Sequence, residues 1–259
     1  MSEEMATILK ELKDPNPQAR IKALDTIGTR KPSNAIDIIT PYLLDEHIRV
    51  RVASVWSLGK IRDINAIPYI IKAAKEDPSE KVRGVAIAAL ENYQNPEVLN
   101  CLLAEVYREK CSRRPRQEVA KQLGNYDSDE AVNALIILLE DEDVFVRDDA
   151  AESLLKLNRP RLVEVWKRAL KDLSDDVRKI AIKALTDLGY VEEAIDRLVD
   201  LLQDKDFFVR DLVAEWLLQL NRPRLIEVWK QALNDPDEDV RDIAIKAITD
   251  LGENFVPKS

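Results

Sequence analysis

Covalent or general acid–base catalysis needs a base held beside its target, most often an imidazole. The chain has one histidine, His47, next to Glu46 in an expected exposed turn. A single turn histidine is a surface residue rather than half of a catalytic pair. The cysteines, Cys101 and Cys111, stand ten residues apart with no further ligand-type residue close by. A zinc site would need four ligands and a disulfide framework more cysteines, so they are expected to be free thiols of a reducing cytoplasm. The acidic pairs Asp148/Asp149 and Asp175/Asp176 fall at helix starts, where capping explains them. The sequence holds no phosphate loop, GxSxG elbow or CxxC motif. The expectation is a protein without catalytic residues, metal or cofactor.

Composition narrows the class. Of 259 residues, 34% are charged and 46% hydrophobic, with six glycines, as in a helix-rich globular chain. No apolar run approaches the roughly 18 residues of a membrane helix, so no membrane is expected as partner. The opening segment MSEEMATILKELKD is acidic and amphipathic, unlike a secretory signal. Net charge is −9, unevenly spread: residues 1–127 hold 20 Lys/Arg against 18 Asp/Glu, and residues 128–259 hold 19 against 30. So acidic a chain is not expected to bind a phosphate backbone.

One arginine organises the chain. It recurs as Arg20, Arg51, Arg83, Arg116, Arg147, Arg178, Arg210 and Arg241, at steps of 31, 32, 33, 31, 31, 32 and 31 residues. The residue before it is mostly Val, the third after it is small or Val, and the seventh after it is always Leu or Ile. Offsets −1, +3, +7 and +10 fall on one stripe of a 3.6-residue helix, so each arginine opens an amphipathic helix. An Asp-rich turn precedes most of them (DPNPQAR, DEDVFVR, DPDEDVR), and a second apolar-periodic stretch lies upstream. Each repeat is therefore helix A, a tight turn and helix B, and such a pair buries its apolar faces only by stacking on its neighbours. From Ala131 the sequence returns 63 residues later at Ala194, a tandem duplication of two repeats in which Trp166 and Trp229 are equivalent. Both tryptophans sit at apolar spacing and are expected in the core.

The pattern in DEHIRVRVASVWSLGKI and DVRKIAIKALTDLG resembles HEAT repeats, in particular the short HEAT-like repeats of phycobilisome lyases, across essentially the whole chain. The resemblance implies an all-α, right-handed α-solenoid of eight helix pairs, an α-α superhelix forming a single array. The pairs would span about 1–31, 32–62, 63–94, 95–127, 128–158, 159–190, 191–221 and 222–259. It also implies that helix B lines the concave face and that the eight arginines form a structural ladder with the Asp residues. The His-Glu pairs by which HEAT-like hydroxylases hold iron do not occur in this chain. The fold serves scaffolds, lyases and a few enzymes, so it does not fix the function.

Binding should use the side of helix B opposite its buried stripe, at offsets +1 and +5. In repeats five to eight these are Asp148/Glu152, Lys179/Lys183, Asp211/Glu215 and Asp242/Lys246, which suggests a self-compensating charged face. In repeats one to three they include Ile21, Val52, Trp56, Gly84 and Ala88, apolar or bare where charge belongs. An exposed Trp in an apolar patch marks a binding site. Beside it, repeat four lacks its capping Asp and clusters Arg108, Lys110, Arg113, Arg114, Arg116 and Lys121. The expected function is a non-enzymatic scaffold or adaptor that holds another protein or peptide around Trp56, Arg113 and Arg114. The alternative is a bilin lyase or chaperone-like factor for phycobiliproteins. At the C-terminus Ile245 would lack a neighbour, so either Phe255 and Val256 fold over it or two chains meet there as a homodimer.

Overall fold

A computed structural model describes residues 3–108 and 113–252. Their regular elements are all helical. Backbone contacts group the chain into two units, residues 1–157 and 158–259, and the division falls at the end of the fifth repeat. In the first unit α1 (Glu3–Glu11) pairs with α2 (Pro17–Arg30), α3 (Ala35–Ile39) with α4 (Ile48–Ile61) and α5 (Ile67–Glu76) with α6 (Glu80–Ala89). There too, α7 (Pro96–Val106) pairs with α8 (Arg113–Leu123) and α9 (Asp129–Leu138) with α10 (Val144–Leu157). In the second, α11 (Val163–Ala169) pairs with α12 (Asp175–Asp187), α13 (Val191–Leu201) with α14 (Phe207–Leu220) and α15 (Ile226–Ala232) with α16 (Glu238–Asp250). These are the expected eight helix pairs of an α-solenoid fold, with the arginines on the even-numbered helices. None of the helices is long and apolar enough to cross a membrane, among the described residues.

The stripe predicted for helix B is buried. The residues seven after each arginine, from Ile27 through Ile248, are at most 1% exposed, and so are those three after it, from Ala23 to Ala244. Trp166 and Trp229 are buried as expected. Offset +10 departs from the expectation: Arg30 is exposed, and Ile61, Leu157 and Leu188 are only partly covered. The stripe turns instead through offset +4, where Leu24, Val55, Ile87, Ala120, Ala151, Ile182 and Ala214 are buried. The reason is that helix B ends within a turn of that point. Offset +11 adopts the left-handed conformation at Lys31, Arg62, Asn158, Gly189, Asn221 and Gly252. Such a residue stops the helix and turns the chain into the next helix A.

The arginines do more than open helices. In every turn but the fourth the Asp six residues before the arginine accepts a bond from the amide two residues on, as Asp45 does from His47 (2.9 Å) and Asp204 from Asp206 (2.9 Å). The arginine Nη1 then donates to the carbonyl of that same Asp: Arg51 to Asp45 (3.0 Å), Arg178 to Asp172 (2.9 Å), Arg210 to Asp204 (2.9 Å). The rest of the guanidinium reaches the carboxylate of the following turn. Arg20 meets Asp45 at 2.9 Å, Arg51 meets Asp77 at 2.8 Å, Arg116 meets Asp141 at 2.8 Å, Arg178 meets Asp204 at 2.7 Å and Arg210 meets Asp235 at 3.0 Å. Each side chain in these pairs is nearly buried.

One rung is missing. Arg83 donates to the Asp77 carbonyl at 3.0 Å, but its acidic neighbour is the exposed Glu80 of its own helix, 3.9 Å away. Six residues before Arg116 the sequence has Lys110 where the other turns have Asp, and Lys110 lies outside the described residues. Removing one partner of a buried pair strands the other's charge. Arg178→Met is therefore expected to cost about 3 kcal/mol by orphaning Asp204. Arg83→Met, with no inter-repeat acid to strand, should cost about 1 kcal/mol. Urea unfolding of both variants checks this, and equal losses would show that pairing across repeats is not what distinguishes the two arginines.

Candidate functional site

The first unit contains an unusually close set of helix-B contacts. A Cβ on Gly28 would stand 2.8 Å from the Ser57 Cβ, and one on Gly59 would stand 2.8 Å from the Ala89 Cβ, so α2, α4 and α6 approach through bare backbone. Ser57, buried between them, donates to the Leu24 carbonyl at 2.9 Å. The same device recurs where Ser153 donates to Ala120 (2.8 Å) and where Gln122 donates to Ile87. These contacts fix how α2, α4 and α6 present their outer offsets.

On that face Trp56 stands 49% exposed. It forms a ridge between two depressions. One, of about 290 Å³, is lined by Ile21, Asp25, Val52, Ala53 and Trp56, with Ile48, Arg49 and Lys81 at its edge. The other, of about 550 Å³, is lined by Gly59, Trp56, Ala88 and Ala89, with Lys31, Lys60, Arg62 and Glu91 around it. Ile21, Val52, Trp56 and Ala88 thus come together as expected. Gly84 does not open into this floor: it is buried, and its missing Cβ would lie 3.3 Å from the Arg114 Cγ, so the Arg114 stem covers it.

The two basic-turn residues separate. Arg114 is exposed, with its stem over Gly84. Arg113 is engaged elsewhere: its guanidinium lies 3.8 Å from the centre of the Phe145 ring, and its Nε sits 3.2 Å from Gln117 Oε1 and 3.6 Å from Asp143 Oδ1. An aromatic face and a carboxylate of the next repeat thus hold part of its guanidinium. Cys111 lies outside the described residues, whereas Cys101 is buried and burial pushes its thiol above the ordinary range.

Offsets +1 and +5 alone missed the charge around the floor. Among the described residues Lys31, Arg49, Arg62, Lys81 and Arg114 hold no ion pair. Asp25 is bound by Lys60 at 2.6 Å, which leaves Glu91 as the unpaired acid at the edge. The signal was present in the sequence as basic residues nine to eleven after the first two arginines and two before the second, third and fourth.

The remaining polar candidates are structural. His47 Nδ1 accepts the Arg49 amide at 3.2 Å and so caps α4. No group of three or more His, Cys, Asp or Glu side chains is placed to hold a metal, among the described residues. In the second unit the expected compensation is incomplete. Lys179 pairs with Asp175 (3.0 Å), Asp176 (3.6 Å) and Asp206 (3.9 Å) rather than with a neighbour at offset +1 or +5. Asp211 is left among acids: burial and then Glu215, Asp239 and Asp237 hold its carboxyl above the usual range.

Comparison with known proteins agrees with this architecture. A family profile described as HEAT repeats matches residues 5–91, 102–167 and 163–249. No curated protein matches the sequence. Among solved structures the chain is similar to YibA of Escherichia coli (TM-score 0.64, 21% identity, covering 98% of this chain and 93% of that one). It is also similar to the complex of CpcE and CpcF of phycocyanin lyase from Nostoc (TM-score 0.51, 19% identity, 97% and 96% covered). A third likeness is to an engineered protein (TM-score 0.53, 19% identity, 96% and 78% covered). At these identities the likenesses establish the fold.

The acidic surroundings of Asp211 have a pH signature. A carboxyl whose pKa is higher folded than unfolded favours the folded state below its unfolded pKa, and that contribution is lost as pH rises through the folded value. Asp211→Asn should therefore stabilise the protein at neutral pH, and the gain should fade as pH falls to about 4. Urea midpoints of variant and parent across that range measure it. A gain independent of pH would contradict the electrostatic origin.

Proposed function

The chain belongs to the HEAT-repeat family, and on that footing we propose that it is a non-enzymatic scaffold or adaptor that binds another protein or peptide on the helix-B face of repeats one to three. The observation that carries this reading is Trp56: a large aromatic left half exposed between two depressions whose floor is Ile21, Val52 and Ala88. Water gains nothing from such a surface, while a partner's apolar side chain would release it from contact with solvent. Buried Trp side chains at the centre of interfaces are among the residues that contribute most to binding. The polar candidates for chemistry support the same reading because the structure gives them other work: His47 caps a helix and the recurring arginines tie repeats together.

The alternative expectation, a bilin lyase or chaperone-like factor, draws on the fold likeness to the CpcE–CpcF complex, which at 19% identity carries no substrate. A shifted absorption band on mixing with a bilin would be its signature. A homodimer through the last repeat belongs to the proposal as well, because Ile245 is 37% exposed although its equivalents in the earlier repeats are buried. Phe255 and Val256, the other candidates to cover it, lie outside the described residues.

Two measurements test these readings. In affinity capture from lysate of the source cells, Trp56→Ala should lose the partner by about tenfold or more. Its helicity and melting midpoint should stay close to the parent's, because the side chain lies outside the buried stripe. Capture that is indifferent to Trp56 would remove the proposed site. Light scattering over a range of concentrations should give a mass rising towards two chains, and a strictly monomeric mass would overturn the homodimer.

A further inference from the structure

We infer that the occupant of this groove is an acidic amphipathic segment of a partner protein, with an apolar side set against Trp56 and carboxylates towards the rim. The inference rests on the scaffold reading and adds the chemistry of what is bound.

Charge complementarity carries it. The apolar floor is bordered by Arg49 and Lys81 at one edge and by Lys31 and Arg62 at the other. Among the described residues none of these four is in an ion pair, although the chain as a whole carries an excess of acids and pairs many of its other cations. The acids nearest the floor are Asp25, neutralised by Lys60, and Glu91. An unpaired cation on open surface is well solvated and costs nothing, so its presence alone says little. Four of them around one exposed apolar floor create a positive field over that floor, which steers and orients a negatively charged partner.

The floor then selects among acidic partners. Beside Trp56 it offers Ile21, Val52, Ala53 and Ala88, which suit aliphatic and aromatic side chains. A single-stranded nucleic acid would also answer to a basic rim and a tryptophan, but it stacks successive bases on a series of aromatic faces. Here one aromatic is surrounded by aliphatics, so a peptide is favoured. Reaching from α2 across α4 to α6 spans two interhelical spacings of about 8–10 Å each. A helical segment of about 12–14 residues has that length.

The test is selection from a displayed library of random 16-residue peptides on the full chain, with the Trp56→Ala chain as counter-selection. Clones that depend on Trp56 should be enriched in Asp and Glu flanking apolar residues at helical spacing. Their synthetic peptides should bind about tenfold more weakly to an Arg49→Glu/Lys81→Glu chain, and more weakly as salt is raised. Trp56-dependent clones without acidic bias, or peptides indifferent to the charge-reversed chain, overturn this inference and leave the scaffold reading standing. Should no clone depend on Trp56, the inference falls, and the lysate capture decides whether the groove falls with it. A fluorescent oligothymidine that binds at physiological salt in a Trp56-dependent way overturns the inference in favour of nucleic acid.

Discussion

The rest of the structure depends on one bridging interaction: an arginine at the start of helix B that holds its own turn with one nitrogen and the next turn's carboxylate with the others. The same Asp that receives the arginine closes its turn through its own backbone, so turn shape and repeat register are set by a single residue pair. Pairs buried to this degree are weak sources of net stability, because two charges lose their water. Their value lies in geometry. A guanidinium with fixed donor directions meets a carboxylate at only one height and one rotation of the neighbouring pair. Once the register is fixed, offsets −1, +3, +4 and +7 are the packed ones throughout the interior repeats, and the face at +1 and +5 is free to differ from repeat to repeat.

That freedom lets stability and the proposed binding occupy different residues of the same helix. Leu58 and Trp56 are two positions apart in α4, yet Leu58 is fully buried and Trp56 is half exposed. Glycines at Gly28 and Gly59 bring the backbones of α2, α4 and α6 together without a side chain between them. The tight approach leaves the outer offsets as a continuous surface instead of three separate ridges.

The eight pairs, the direction of helix B and the burial of Trp166 and Trp229 were legible because they follow from periodicity, and a period repeated eight times averages out local exceptions. What a single repeat does with its neighbour was harder to see. Counting places +10 on the stripe, but the left-handed residue at +11 ends the helix there, a stop that Asn158, Gly189, Asn221 and Gly252 announce and Lys31 and Arg62 do not. Gly84 looked bare from its own repeat, but the side chain that covers it, Arg114, comes from the next. Arg113 looked available for the same reason, while Phe145 one repeat further on takes it up. Such contacts reach about 30 residues along the chain, beyond any helical period, and offset counting within one helix cannot find them.

The exposed aromatics of helix B sharpen the case for Trp56. Phe145 and Phe208 are equivalents in the duplicated segment, two residues before their arginines, and both are about half exposed. Each has a cation from the preceding repeat over its ring, Arg113 at 3.8 Å in one and Lys179 at 5.4 Å in the other. Phe207 packs on Phe208, with ring centres 3.8 Å apart. The duplication copied the phenylalanine, and the two copies met the same need with different cations. An aromatic ring on a solvated face is thus accommodated within the chain in both copies. Trp56 has neither a cation over its ring nor an aromatic neighbour among the described residues, although Arg49, Lys31 and Lys81, none of them in an ion pair, stand around the depressions it lines. Among the half-exposed rings of helix B, Trp56 is thus the one with no cation or aromatic partner among the described residues, which is what singles it out for the proposed binding.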